Sequence, residues 1–145
     1  MRVLHVVHSL DDHMGGAVHA AVGLAAHVGA RDDVETVLAS TVQPGDDHAY
    51  LDRVAPGVER HVFPRSWPAG RFQSAGLASW LGRSVPSFDL VHLHGVFHAP
   101  ALAVRRACRR VACGGGCVRR TRRRGAERNR IHEPGRVARR QRRRP

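Results

Sequence analysis

The opening of the chain limits its fold more than any other feature, because a strand, a glycine turn, a helix and a second strand follow within about forty residues. Residues 3–7 are a short apolar run of strand length. Residues 17–28 space their apolar side chains as one face of a helix does, and residues 34–39 are typical of a second strand. This order is a βαβ unit, whose strands are parallel and whose crossover is right-handed. The sequence therefore predicts an α/β fold.

Five further segments continue the alternation of strands and helices. Residues 58–63 and 88–94 are predicted strands, and residues 49–54, 72–81 and 99–111 are predicted helices. Segments rich in proline and glycine at residues 44–45, 56–57 and 64–70 predict loops. The predicted fold is an incomplete Rossmann-like parallel sheet of four strands with helices on both faces, and its first and fourth strands belong to that one sheet.

The positive charge of the chain is concentrated towards its C-terminal end. The formal net charge is +12, and residues 113–145 hold 13 arginines against two glutamates, whereas residues 1–112 are almost neutral. From residue 119 onward no segment has a periodic apolar face. We therefore expect a folded domain at residues 1–112 and a disordered Arg/Gly-rich tail at residues 113–145.

Two explanations of the tail are open. In the first, its charge binds nucleic acid, an anionic membrane or another polyanion non-specifically, although the tail lacks interleaved aromatic residues for base stacking. In the second, a gene rich in G and C is read out of frame after about residue 112. All 24 Lys+Arg residues are arginine, which indicates such a coding bias. We favour the frame change because the tail agrees with no fold, and the nucleotide sequence near codons 108–116 tests it.

The sequence has no pattern typical of a secreted or membrane-spanning protein. No apolar run reaches the roughly 18 residues that a membrane span needs. The first strand contains Arg2 and His5, which a signal peptide would not be expected to carry there. Three cysteines, Cys108, Cys113 and Cys117, are an odd number, which argues against a disulfide framework. We expect a cytoplasmic protein, with the inner face of the membrane as an alternative location.

Two groups of residues raise the question of a metal site. His92 and His94 would point to one side of a strand and, with His98 nearby, could hold zinc, but a convincing third or fourth ligand is missing. We therefore expect one packed histidine, one histidine at the sheet edge and no metal. The Cys113-Gly-Gly-Gly-Cys117 segment, even with Cys108, matches no paired zinc-ligand spacing.

The Gly15-Gly16 turn is a candidate ligand-binding loop. A strand that enters a helix through such a turn leaves unpaired backbone N–H groups, which favour an anion or sugar hydroxyls. Glycines lack a Cβ atom, so a ligand could approach the backbone closely. Asp11 and Asp12 precede the turn and could orient a hydroxyl or act as a base, but capping of the helix start is the preferred role.

The front of the chain resembles glycosyltransferase family 4. The resemblance lies in residues 1–7, the Gly15-Gly16 turn, the alanine-rich helix and the Phe-Asp-Leu-Val-His-Leu-His-Gly segment at residues 88–95. It covers about residues 1–112 and points to the acceptor-side N-terminal domain of the GT-B fold. It implies hexosyl transfer from a nucleotide-sugar donor to an acceptor hydroxyl, with no metal required. It also implies that Gly15, Gly16, His94 and Gly95 bind substrate at a cleft, and it assigns no catalytic residue.

The resemblance stops after about residue 112. The family continues there with a fifth strand and a second Rossmann domain that binds the nucleotide-sugar, whereas this sequence continues with glycines and arginines. We therefore expect a glycosyltransferase fragment with little or no activity alone. One alternative is an enzyme completed by a separately encoded C-terminal domain, and another is a small nucleic-acid or anion-binding protein that acts through its tail. The open sheet edge also predicts poor solubility.

Overall fold

The structure is a computed structural model that describes residues 1–66 and 71–113. Within these residues strands and helices alternate along the chain. Two short 3-10 helices, Asp12–Met14 and Val85–Ser87, accompany them. The strands and α-helices in chain order are β1 (Arg2–Val7), α1 (Gly16–Gly29), β2 (Glu35–Val42), α2 (Ala49–Val54), β3 (Glu59–Pro64), α3 (Ala75–Ser84), β4 (Leu90–His94) and α4 (Ala99–Cys113).

The four strands form one parallel sheet in the order β3-β2-β1-β4. β1 pairs with β2 on one side and with β4 on the other. The register of the second pairing sets His5 opposite His92 and Val7 opposite His94. The first and fourth strands are therefore neighbours, and the prediction of a four-stranded parallel α/β sheet is confirmed.

Helices cover both faces of the sheet, as the sequence predicts. Because successive side chains of a strand point to opposite faces, Val6 and Val7 of β1 enter different cores. The core beneath α1 and α2 is formed by Val7, Leu10, Val18, Ala21, Val22, Ala25, Leu38, Leu51 and Ala55. The core beneath α3 and α4 is formed by Leu4, Val6, Val37, Ala39, Leu77, Leu81, Val85, Val104 and Ala107.

The predicted start of α3 at residue 72 is wrong. The helix begins at Ala75 because the Ser74 side chain accepts a hydrogen bond from the Leu77 backbone N–H at 3.2 Å and caps the first turn. Phe72 has a φ of 54°, which is incompatible with an α-helix, and its side chain is buried. Phe72 therefore belongs to the loop before α3, although its apolar side chain fits the helical spacing of residues 72–81.

Two strand boundaries also differ from the prediction. β4 begins at Leu90 rather than at residue 88, because the N–H of Phe88 donates to the carbonyl of Val85 and closes a 3-10 turn. β2 continues to Val42, beyond the predicted end at residue 39, and pairs there with Pro64 at the end of β3. A local turn thus sets the start of β4, whereas long-range pairing, which a local pattern does not contain, sets the end of β2.

The C-terminal part of the prediction falls mostly outside the described residues. α4 includes Cys113, the first residue of the predicted tail at residues 113–145, and the rest of that tail lies outside the described residues. None of the helices in residues 1–66 and 71–113 combines the length and the hydrophobicity of a membrane-crossing segment.

Candidate functional site

The carboxyl ends of β1 and β4 lie side by side where the order of the strands reverses. The chain proceeds outward from β1 through β2 to β3 and then returns to the other side of β1 as β4. The helices that follow the two strands, α1 and α4, pack on opposite faces of the sheet. Open α/β sheets bind ligands in the crevice at such a reversal. The topology therefore places the candidate site between residues 8–16 and residues 95–98, which we call the crevice.

Asp11 holds the loop that follows β1. Its carboxylate accepts hydrogen bonds from the backbone N–H of His13 at 3.2 Å and of Asp47 at 3.3 Å. The His13 side chain, 3.1 Å from the same oxygen, lowers the pKa of Asp11 by hydrogen bonding, so this carboxyl is a poor general base. Asp11 caps the 3-10 helix Asp12–Met14, whereas the N-cap of α1 is Gly15, so the expected helix-capping role moves to the shorter helix.

Gly15 and Gly16 join this loop to α1. Gly15 has a φ of 80°, a conformation that a residue with a Cβ atom adopts only with strain. A Cβ atom on either glycine would meet nothing within 4 Å, so packing inside the domain does not require them. The N–H groups in the first turn of an α-helix lack acceptors within the helix. This junction is therefore open to an anion or a hydroxyl group, and the predicted binding role of both glycines stays a prediction.

Gly95 begins the loop on the other side of the crevice. It has a φ of 86°, and a Cβ atom there would lie 4.0 Å from His8 Nδ1 and 4.0 Å from His98 Cδ2. The next two residues, Val96 and Phe97, are 67% and 94% exposed. The predicted substrate-binding glycine thus lies against two histidines and leads into an exposed apolar segment.

His8 and His98 form an aromatic cluster with Phe72. The centroids of the two imidazole rings are 4.3 Å apart, and Phe72 contacts both rings edge-on. His8 is 6% exposed, and its Nδ1 makes no hydrogen bond with the described residues. Burial, followed by the nearby His98 and Arg65, lowers the pKa of His8 to about 4, so the ring is neutral at pH 7. A neutral imidazole with a free nitrogen can bind one ligand hydroxyl or amide.

His94 lies over the face of the sheet beside His5. Its Nε2 is 3.0 Å from His5 Nδ1, and its ring stacks on His92 with centroids 4.3 Å apart. His98 contacts His8 instead. The three histidines that the sequence groups together are therefore divided between two places, and the substrate role of His94 stays a prediction.

A buried ion pair joins the strand ends next to the crevice. Arg65, directly after β3, pairs with Asp46 at 3.1 Å, and their side chains are 5% and 1% exposed. The Arg65 guanidinium also donates to Ser9 Oγ at 2.8 Å and to Thr41 Oγ1 at 3.1 Å. The Arg65 guanidinium is thus paired and hydrogen-bonded with other residues of the domain.

A wide groove of about 1090 Å³ lies between α3 and α4, on the opposite face of the sheet from α1. Phe72, Phe97, His98 and Leu102 are among its lining residues. The four predicted substrate residues do not line this groove.

No protein-family model, curated protein or solved structure matches the chain.

Sequence reasoning did not identify His5, His8 or Arg65 as site residues. His5 and His8 lie in an apolar run, where a single histidine is usually a packed core residue. The usable signal was the occurrence of histidines near the ends of two strands of one predicted sheet, namely His5 and His8 in one and His92 and His94 in the other. Only the register of β1 against β4 shows which of them meet.

Proposed function

We propose that residues 1–112 form the acceptor-side half of a two-domain glycosyltransferase of the GT-B type, which moves a sugar from a nucleotide-sugar to an acceptor hydroxyl. One observation carries this proposal: the strand order reverses between β1 and β4, and each of the two loops there contains a glycine with positive φ. Ligands of open α/β sheets bind at this position. The resemblance of the Gly15-Gly16 turn and residues 88–95 to family 4 supplies the reaction type.

The groups around the crevice suit a sugar and a phosphate. The first turn of α1 presents backbone N–H groups and the positive end of the helix dipole, which favour the negative charge of a phosphate. Gly15 and Gly16 leave the approach to these groups free of side chains. On the same side of the crevice, just after β1, His8 has a buried Nδ1 without a hydrogen-bond partner among the described residues, which a sugar hydroxyl would satisfy. These groups would position the substrates rather than break a bond.

Sugar transfer needs more groups than the described domain supplies at the crevice. The acceptor hydroxyl has to be held in line with the donor, and the leaving diphosphate has to be neutralised. Arg65 cannot serve as a free cation because Asp46 already pairs with it. We therefore propose that a nucleotide-sugar domain, which the family resemblance places on the far side of the cleft, completes the site, and that the described domain alone has little or no activity.

Exposed apolar residues near β4 support the proposal that a further domain covers this side of the sheet. Leu90, Val96 and Phe97 are 51%, 67% and 94% exposed. Among the described residues β4 pairs only with β1, so its other edge has free backbone groups. Exposed apolar surface beside an open strand edge favours association with a further protein surface.

A titration of the ¹⁵N-labelled full chain with UDP-glucose and with GDP-mannose, followed by amide NMR shifts, tests the ligand-binding part of the proposal. We expect weak binding that shifts the amides of residues 9–16 and 95–98. The Gly16→Asp variant should lose this binding, because a carboxylate at the start of α1 repels phosphate while remaining favourable for the helix itself.

The matched control is Gly57→Asp. Gly57 is exposed, and a Cβ atom there would also meet nothing within 4 Å, but it lies at the opposite, amino-terminal end of the sheet. This variant should bind as the parent chain does. Shifts confined to another surface, or equal effects of the two substitutions, would contradict the proposal.

The alternative function, anion or nucleic-acid binding by the arginine-rich tail, depends on residues outside the described part of the chain. Salt-dependent retention on DNA that disappears on deletion of residues 114–145 would support binding by the tail. A preference for one nucleotide sequence would be needed to distinguish a selected function from non-specific attraction.

A further inference from the structure

Three histidines from two neighbouring strands lie together on the face of the sheet that α1 covers. His5 is on β1, and His92 and His94 are on β4, where strand alternation places them on one side. The register sets His5 directly opposite His92. One nitrogen from each of the three rings can be chosen so that all lie within 4.8 Å of one another. The third ligand that the sequence did not reveal therefore comes from the other strand.

The local contacts of the cluster do not satisfy all of its polar atoms. His5 is 1% exposed, and its Nδ1 is 3.0 Å from His94 Nε2. Its other nitrogen, Nε2, is buried and makes no hydrogen bond with the described residues. Burial of an unsatisfied polar atom costs about 1–3 kcal/mol. An ion held by His5 Nδ1 would leave Nε2 in this state, so the distances between the ligand nitrogens, rather than this atom, support a metal ion.

The ligand chemistry of the cluster suits a metal ion. Imidazole is the commonest metal ligand among protein side chains, and it binds through the lone pair of one ring nitrogen.

The distances also fit a metal ion. Zinc binds histidine nitrogens at about 2.0–2.1 Å, which puts two nitrogens of a tetrahedral site about 3.3 Å apart. The 3.0 Å between His5 Nδ1 and His94 Nε2 is close to this value, and nitrogens of all three rings lie within 4.8 Å of one another, so binding of an ion would draw the side chains together.

We propose that His5, His92 and His94 bind one divalent transition-metal ion of the zinc type, with the fourth position open to water. Three imidazoles without a carboxylate select zinc, cobalt, nickel or copper over magnesium and calcium. The ion would join the edge strand β4 to the central strand β1. This site uses His94, to which the family resemblance assigns a substrate role, and it departs from the expectation that the protein needs no metal.

Cobalt is the best probe, because its visible spectrum reports the number and the type of its ligands. The full chain, reduced, stripped with a chelator and dialysed, is titrated with Co²⁺ and then with Zn²⁺. We expect one Co²⁺ per chain with the visible absorption of a four-coordinate ion, displacement of Co²⁺ by Zn²⁺, and a higher melting temperature with either ion. The His92→Gln variant should lose the visible band and the rise in melting temperature.

Two further variants keep the test decisive. His27→Gln removes an exposed histidine of α1 and should leave the titration unchanged. His92→Cys should retain binding of one ion per chain and add a near-ultraviolet charge-transfer band from a sulfur ligand that the parent chain lacks. If the parent chain already shows that sulfur band, its cysteines hold the ion and the proposal fails. Absence of stoichiometric binding to the parent chain, or equal loss in His27→Gln and His92→Gln, also overturns it.

Discussion

Acidification should destabilise the domain through His8. In the folded state its ring is 6% exposed, and His98, Phe72 and Arg65 surround it. Its pKa falls from 6.5 to about 4. The unfolded chain takes up a proton at His8 near pH 6.5, whereas the folded chain resists protonation until about pH 4. Unfolding is therefore favoured as the pH falls through this window, and the contribution is constant above it.

The size of the effect follows from the shift in pKa. A change of one pKa unit corresponds to about 1.4 kcal/mol, so a shift from 6.5 to about 4 gives roughly 3 kcal/mol lost between pH 7 and pH 4. A domain of this size has a total stability of about 5–15 kcal/mol, so the loss from one ring is a large share. His5 and His94 have pKa values lowered to about 4 and add to the loss in the same window.

The His8→Phe variant isolates the contribution of this ring, because phenylalanine keeps an aromatic contact with Phe72 and cannot be protonated. Urea unfolding, followed by far-ultraviolet circular dichroism with a chelator present, gives the free energy of unfolding at each pH from 7 to the lowest value at which the parent chain folds. The difference between parent and variant should change steadily, in favour of the variant, as the pH falls. His27→Gln, at an exposed position of α1, should follow the parent curve. Parallel curves for the parent and His8→Phe would refute the reasoning.

Substitutions at four other positions test the local structure by urea unfolding. Gly23→Ala, in the middle of α1 with no atom within 4 Å of the added Cβ, should raise the free energy of unfolding by about 1 kcal/mol. Gly15→Ala should lower it by about 1–3 kcal/mol, because φ is 80° and ψ is −157° there, a conformation that glycine alone adopts readily. Effects of the same sign would contradict the assigned conformations. Asp46→Ala should cost about 3–5 kcal/mol because it leaves the Arg65 charge buried and unpaired, and a cost below about 1 kcal/mol would mean that water reaches Arg65. Ser74→Ala should cost about 1 kcal/mol by removing the cap of α3, while Ser74→Asp keeps a capping oxygen and should cost little. An equal loss in both would show that the cap is not the cause.

Much of the fold could be predicted because its signals are local. The bounds of α2 at Ala49–Val54 are those that the sequence predicts, since proline and glycine follow directly. β1 is the strongest example, because the first long apolar run of the chain forms the central strand. The predicted helix start at Phe72 is wrong, because the apolar spacing does not show that this residue has a positive φ.

The candidate site could be predicted only in part. The glycine turns at Gly15 and Gly95 are visible in the sequence, because a glycine at the end of a strand marks a turn wherever the strand lies. The pairing of Arg65 with Asp46 and the contact of His8 with His98 are not visible, since they join segments that the sheet brings together.

The sequence by itself determined that strands and helices alternate, that the sheet is parallel and that two glycine turns follow strands. The tertiary structure alone decided which histidines meet. His92 and His94 share a face by strand alternation, which is a local property, but His5 joins them only because β4 pairs with β1 in a register that sets His5 opposite His92. Register depends on side chains that are distant in sequence and pack on both faces of the sheet, so no local pattern contains it.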